Sequence, residues 1–339
     1  MIRVGIIGFG FMGRMHYRCW KSMKNARVAA LCDANRQACH DTGRSHGNIA
    51  GAEGEVDLSS VTVYADPDEM LAREKLDAVS ITVPTHLHAA LTVKALEQGV
   101  HVLCEKPMAL SPADGQWMIE AAEKSGKALQ IGHCIRFWPE YSKAKEIVDG
   151  GAYGRVLTAS FQRYSATAYS KKGSWFADEE KSGGMVFDLH IHDTDFVQHL
   201  FGMPAAVCSH AALTPGGGIS HIFTRYQYPG GPLVTAEGGW AMTPSYGFEM
   251  KFLILMEKAV LSFSSGSSPT LKLYPAEGEV SAPRIEAGDG YSRQIEYFVK
   301  TVRGETVPIV TTPKQALNSL CIAEAERDSA RKGNCINVN

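Results

Sequence analysis

Two short stretches of this chain carry side chains whose types and spacing suit proton transfer and charge stabilisation. The first is VLCEKPMAL at 102–110, where an apolar run ends in Glu105 and Lys106 directly before Pro107. An ammonium with three N–H donors can hold a substrate oxygen and stabilise negative charge developing on it. At its ordinary pKa of about 10.4 a lysine is too basic to shuttle protons unless burial or a nearby cation lowers it. The second stretch is GGMVFDLHIHDTDFVQHLFG at 183–202. On a regular helix Asp188, His192 and Asp195 fall at i, i+4 and i+7 and stack on one face, with His190 pointing elsewhere. A carboxylate near an imidazole fixes its orientation and favours its protonated form. Three readings fit that spacing: a solvated helix face with a supporting Asp–His pair, a metal site, or a catalytic acid and base. The metal reading suits a strand, where His190 and His192 would share a face; on a helix the two rings diverge by about 200°. No metal is assigned.

The elements that must position Lys106 are legible upstream. Residues 3–7 (RVGII) read as a strand buried on both faces of a parallel sheet. Gly8, Phe9, Gly10, Phe11, Met12 and Gly13 follow as a glycine-rich turn. Gly8 permits the tight turn, Gly10 lets the backbone approach a pyrophosphate, and Gly13 lets the next helix pack on the strand. The helix start then offers free N–H groups and a positive dipole end to phosphates. A second strand at 27–32 ends in Asp33, placed to accept hydrogen bonds from an adenosine ribose. A carboxylate about 4 Å from a 2′-phosphate repels it by roughly 4 kcal/mol at an intermediate dielectric, which favours NAD over NADP. Arg36, three residues on, keeps NADP open.

Helical and strand patterns then alternate through 66–74, 76–83, 85–99, 101–104, 111–126 and 127–132. The expectation is an α/β doubly wound parallel sheet over residues 1–130, a Rossmann domain. Its ligands sit beyond the carboxyl ends of the strands, which turns Glu105 and Lys106 toward the nicotinamide. Residues 131–339 change pattern to alternating runs broken by Pro and Gly, which predicts an α+β domain built on a large, mainly antiparallel open sheet. Helices at 184–201, 291–303 and 313–332 are expected to cover that sheet, the terminal helix also packing back on the first domain. The second domain would bind substrate and form the oligomer contact.

Composition narrows the classes further. With 339 residues and a formal net charge of −2, the chain has no overall positive field to hold a nucleic acid or an anionic membrane. Eight cysteines without a CxxC read as free thiols, and no stretch approaches a membrane span or a signal h-region, so the expectation is a cytoplasmic protein.

Taken in order, GFGFMGRMH, EKP, Arg-Phe-x-Pro at 136–139, SGG before a helix, and DxxxHDxD at 188–195 resemble the Gfo/Idh/MocA oxidoreductases; IHDTDF is similar to the inositol dehydrogenases. The resemblance implies an NAD(P)-dependent dehydrogenase acting on a secondary alcohol or ketone of a sugar, polyol or sugar derivative. It puts the active-site lysine on Lys106, Glu105 near the nicotinamide ribose, and Val83, Pro84, Thr85 and His88 along the cofactor. It further implies Asp188 as a substrate-binding acid, His192 as the catalytic histidine, Asp195 as the acid that follows, and a homodimer or homotetramer. Arg136 and the aromatic Trp175, with Tyr164 and Tyr169, are further candidates for substrate contact. One departure stands out: inositol dehydrogenases resemble Met-Arg-Arg-Tyr where this chain has Cys134, Ile135, Arg136 and Phe137, so one substrate-contacting arginine is absent. The rival class is a dinucleotide-sensing regulator of the same fold without turnover.

Overall fold

The structure, a computed structural model, describes residues 1–35, 39, 56–166, 175 and 178–338. Arg36 and Tyr169 lie outside them. Two compact units share the chain, one of Met1–Cys134 with Asp289–Leu317, the other of Ile135–Gly288 with Asn318–Asn339.

The first unit is built on β1 (Ile2–Ile7), α1 (Phe11–Ser22), β2 (Ala26–Cys32), β3 (Thr62–Tyr64), α2 (Pro67–Arg73), β4 (Ala78–Ile81), α3 (His88–Glu97), β5 (His101–Cys104), α4 (Pro112–Ser125) and β6 (Leu129–Ile131). Its six strands run in the order β3-β2-β1-β4-β5-β6, every pair parallel. The strand order reverses between β1 and β4, the switch point where doubly wound sheets bind ligands. Val4, Ile6, Leu31, Val79, Ile81, Val102 and Leu103 are fully buried, as strands covered on both faces require. Local chemistry sets the helix ends: Asp66 and Ser111 accept from the N–H groups of Asp68 and Asp114 at helix starts that carry Pro67 and Pro112.

The late helix Gly290–Val302 corrects one expectation. It belongs to the first unit and packs on α1, with Phe298 edge-on to Trp20 at 6.2 Å and Ser292 Oγ 3.7 Å from Cys19 Sγ. Its stripe of Tyr291, Ile295, Phe298 and Val299 dictates that one face be buried, not which sheet or helix buries it.

The second unit continues with α5 (Pro139–Gly150), β7 (Val156–Ser165), α6 (Glu179–Ser182), a wide π-type turn at Val186–His190, α7 (Ile191–Phe201) and β8 (Ala206–Leu213). Next come β9 (Ile219–Gln227), β10 (Leu233–Gly239), β11 (Phe248–Met256), β12 (Ala259–Ser264) and β13 (Leu271–Pro275). The chain ends with the late helix described above, now α8, then α9 (Pro313–Lys332) and β14 (Ile336–Asn337). Eight strands form one sheet, ordered β13-β12-β11-β7-β10-β9-β8-β14; only β7 and β10 pair in parallel. Alternate residues Ala159, Phe161 and Arg163 on β7 are buried while their neighbours are half exposed. Tyr141 of α5 meets Phe196, Phe252 and Phe263 edge-on at 4.7 to 5.3 Å. From Asn318 onward α9 belongs to the second unit, where Ser329 accepts from the Ser209 N–H at 2.8 Å; only its first residues, through Leu317, belong to the first.

Two of the eight cysteines expected as free thiols are joined: Cys208 and Cys335 form a disulfide across 127 residues. Spacing could not reveal it, because the partners meet only when β14 lies against β8. Among the described residues no helix is long and apolar enough to cross a membrane.

The glycines of the first turn separate folding from ligand access. A Cβ on Gly13 would lie 2.1 Å from the Gly8 carbonyl oxygen, whereas one on Gly10 meets no protein atom within 4 Å. Gly13→Ala is therefore expected to lower unfolding free energy in urea by about 1–3 kcal/mol. Gly10→Ala should unfold close to the parent and lose NAD affinity in calorimetry, since the open space it fills faces the helix start.

Candidate functional site

Gly8 adopts a φ of +91°, and a Cβ there would lie 2.8 Å from the Thr82 carbonyl, so the turn after β1 is held against the end of β4. Thr82 completes the contact, its hydroxyl donating to the Gly8 carbonyl at 2.7 Å. The start of α1 at Gly10 carries no capping side chain. Its first N–H groups are therefore available to an anion. Asp33 accepts from the Phe9 N–H at 2.7 Å through one oxygen and from the Asn35 N–H at 2.9 Å through the other. Each carboxylate oxygen keeps acceptor capacity for a ribose hydroxyl. Phe9 contributes backbone only, because its ring is buried beneath the Arg14 guanidinium at 5.0 Å and beside Tyr17. Phe11 and Met12 are half exposed in the first turn of α1. Uncapped helix start, open Gly10 and carboxylate at the end of β2 fit a dinucleotide.

At the end of β5 the Lys106–Pro107 peptide is cis. Glu105 is buried, with His16 Nε2 2.8 Å from one of its oxygens. Gly132 leaves room for it, since a Cβ there would lie 2.9 Å from that oxygen. Burial pushes the Glu105 pKa up, but the His16 hydrogen bond and the charges of His16, Lys106 and His88 outweigh it and hold the carboxyl below its ordinary value. Lys106 itself is half exposed. Val83 and Pro84 are half exposed and Thr85 buried. His88, expected along the cofactor, is 1% exposed, with Nδ1 2.8 Å from the Pro107 carbonyl oxygen and Nε2 2.9 Å from that of Val83.

In the second unit the DxxxH segment departs from a regular helix. The wide turn at Val186–His190 precedes α7, so the 3.6-residue period behind the expected three-residue stack is broken there. Asp188 and His192 are half exposed, whereas Asp195 is fully buried. Asp195 binds Arg136 through both oxygens, at 2.7 and 2.8 Å, and accepts from Ser319 at 2.8 Å. Arg136 is 2% exposed and also donates to Gln198 at 2.9 Å. Arg136 and Asp195, two of the residues expected to touch substrate, are therefore bound to each other in the interior. Asp193 makes a second such pair, with Arg163 at 2.8 and 3.0 Å, and Thr194 donates to Glu326 at 2.8 Å. His199 is held neutral by burial and by the neighbouring Arg136, its pKa lowered to about 4.

Sequence reasoning missed His16, Thr82, Asp193 and Arg163. Arg163 was detectable: it stands in phase with Ala159 and Phe161, where a charge demands a buried partner. Tyr164, a candidate for substrate contact, lies on β7 with the opposite phase to Arg163, stacked on His221 at 5.8 Å. Trp175 is half buried, and its carbonyl accepts from the Asp178 N–H at 3.2 Å.

The Glu105 pair has a definite sign against pH. A carboxyl whose folded pKa lies below its ordinary value of 4.5 stabilises fully above that value and loses the contribution as pH falls through the folded one. Urea midpoints measured from pH 6 downward should fall less steeply in Glu105→Gln than in the parent, with the two converging at the acid end.

Residues 2–133 match the family model described as "Oxidoreductase family, NAD-binding Rossmann fold", and residues 141–262 match the GFO/IDH/MocA C-terminal domain. The 2,7-anhydro-N-acetylneuraminate hydratase of Escherichia coli is 29% identical over 71% of this chain and 62% of its own length. The first relatives are thus matched over only about half to three fifths of their length. The scyllo-inositol 2-dehydrogenase (NAD(+)) of Bacillus subtilis is 24% identical over 98% of this chain and 95% of its own. Levoglucosan dehydrogenase in complex with NADH and levoglucosan shares the fold at 20% identity, with a TM-score of 0.83 and 99% of each chain covered. Both halves of the sequence carry the same signature, and the chain belongs to the GFO/IDH/MocA oxidoreductase family.

Proposed function

We propose that this protein is an NAD-dependent dehydrogenase of a secondary alcohol on a sugar, polyol or sugar derivative. The observation that carries the reading is the contrast along the DxxxHDxD segment: Asp193 and Asp195 are spent on buried arginines while Asp188 and His192 stay half exposed. Side chains left accessible beside a rigid anchor are available for chemistry.

NAD supplies a hydride acceptor at C4 of its nicotinamide. Gly8, Gly10 and the start of α1 hold the pyrophosphate, and Asp33 takes the ribose hydroxyls and disfavours a 2′-phosphate. His192 accepts the substrate hydroxyl proton, a transfer that typically contributes roughly 10²- to 10⁴-fold. Asp188 orients that imidazole and binds a neighbouring hydroxyl. The Lys106 ammonium donates to the reacting oxygen as it gains charge. Ile135 in place of an arginine supports a substrate other than inositol. The hydratase relatives favour a second reading, in which water is added to or lost from the substrate with no net reduction of NAD.

Purified protein with NAD and a panel of sugars and polyols tests both. Reduction of NAD supports the dehydrogenase, substrate conversion without net NADH the second reading, and tight NAD binding with no conversion a sensing regulator. Lys106→Ala and His192→Ala should each lower kcat by about 10²- to 10⁴-fold with NAD affinity little changed; full turnover in the double variant would overturn the assignment.

The outward face of the second sheet leaves Phe223, Leu233 and Leu253 42%, 54% and 46% exposed. We infer that a second copy of this chain covers it in a homodimer or homotetramer. Light scattering should give a multiple of 36.8 kDa, and Leu233→Lys with Leu253→Lys should shift it toward one copy.

A further inference from the structure

Glu105 is expected near the nicotinamide ribose, yet it is only 5% exposed and both of its carboxylate oxygens meet donors of the protein itself. Oε1 lies 2.8 Å from His16 Nε2, and the Lys106 N–H donates to Oε2 at 3.3 Å. With its pKa below the ordinary 4.5, the carboxyl is ionised at neutral pH and only accepts, so the His16 ring carries a proton on Nε2. His16 is fully buried in the second turn of α1. The carboxylate is turned inward against Gly132, where even a Cβ would come within 2.9 Å of Oε1.

We propose that Glu105 and His16 are positioning residues that fix Lys106, and that Glu105 is not a ligand of the ribose. The effect on turnover rests on the dehydrogenase reading; the anchor itself does not. Contacts run in series from helix to lysine. α1 begins at the uncapped turn proposed to hold the pyrophosphate and carries His16; His16 holds Glu105, and Glu105 holds the amide of the residue whose ammonium is proposed to meet the reacting oxygen. Dinucleotide and ammonium thereby take their places from one rigid element. The Lys106 bond is the longer of the two, so the ring decides where the carboxylate sits. An ionised acceptor suits the task, because hydrogen bonds to it are about twice as strong as neutral ones. A glutamine has one accepting oxygen and would set its own N–H against one of the two donors.

Three measurements on the full chain test the anchor and its consequence separately. Backbone amide exchange, resolved to single residues by fragment mass spectrometry without ligands, compares Lys106 with Lys94 inside α3 of the same unit. In His16→Leu the rate at Lys106 relative to Lys94 should rise about tenfold, the scale of one lost hydrogen bond. His16→Gln, which keeps a side-chain N–H at similar reach, should stay near the parent. A general loss of stability speeds both amides together; an unchanged ratio in His16→Leu would overturn the anchor. Fluorescence titration with NADH should find its affinity little changed in Glu105→Gln and His16→Leu. A loss of about tenfold or more in Glu105→Gln, the scale of a lost hydrogen bond to a charged group, would make Glu105 a ribose ligand and overturn the proposal. With a sugar or polyol that is turned over, both variants should lower kcat by about 10²-fold, the order expected when a catalytic group is displaced by an ångström. His16→Gln should recover most of that loss, and the double variant should be no slower than the slower single one. An unchanged kcat in His16→Leu beside a raised exchange ratio would overturn the positioning role. A parent protein that turns over no sugar or polyol would count against the dehydrogenase reading, and amide exchange with NADH binding would still decide the anchor.

Discussion

The geometry of α7 rests on buried pairs between guanidinium and carboxylate. Asp193 and Asp195 each hold an arginine through both oxygens, Arg163 from β7 and Arg136 from the turn before α5, and all four side chains are at most 2% exposed. Such pairs gain little net stability over apolar packing, because desolvating two ions consumes most of their attraction. What they supply is direction. A bidentate fork tolerates little rotation, so two of them, two residues apart and on different sides of α7, fix it about its axis as well as along it. Thr194, between the two acids, adds a third anchor on Glu326.

The first unit follows the same plan with different parts. Glu105, directly before Lys106, is buried on His16, and Asp193, directly after His192, is buried on Arg163. In each unit the residue proposed to meet substrate is adjacent in sequence to an acid locked in the interior. The backbone of an accessible side chain is thereby immobilised by its neighbour, and the exposed group need not be packed to be well placed.

Much of this was legible beforehand. The parallel sheet, its glycine turn and Asp33 follow from apolar runs and spacing, because a strand buried on both faces leaves a continuous hydrophobic signature. The large second sheet was visible in its alternation. Less legible were features that depend on partners far away in sequence. Arg136 and Asp195 are separated by 59 residues, and each alone reads as a polar residue free to bind a ligand. The wide turn at Val186–His190 leaves no mark in the pattern, so a regular helix was the default. Amphipathicity marked Gly290–Val302 as half buried yet could not say that Trp20 would receive it.

The short strand β14 occupies the outer side of β8 through Ile336 and Asn337, with the Cys208–Cys335 bond beside it. On the far side of the sheet, Ser281 exchanges backbone hydrogen bonds with Leu273 of β13 at 2.8 and 3.0 Å. Unpaired strand borders are templates for uncontrolled addition of foreign strands and hence for aggregation. With both borders partly occupied by the chain's own backbone, growth of the sheet sideways is discouraged, and its broad surface is left as the face for the proposed second copy.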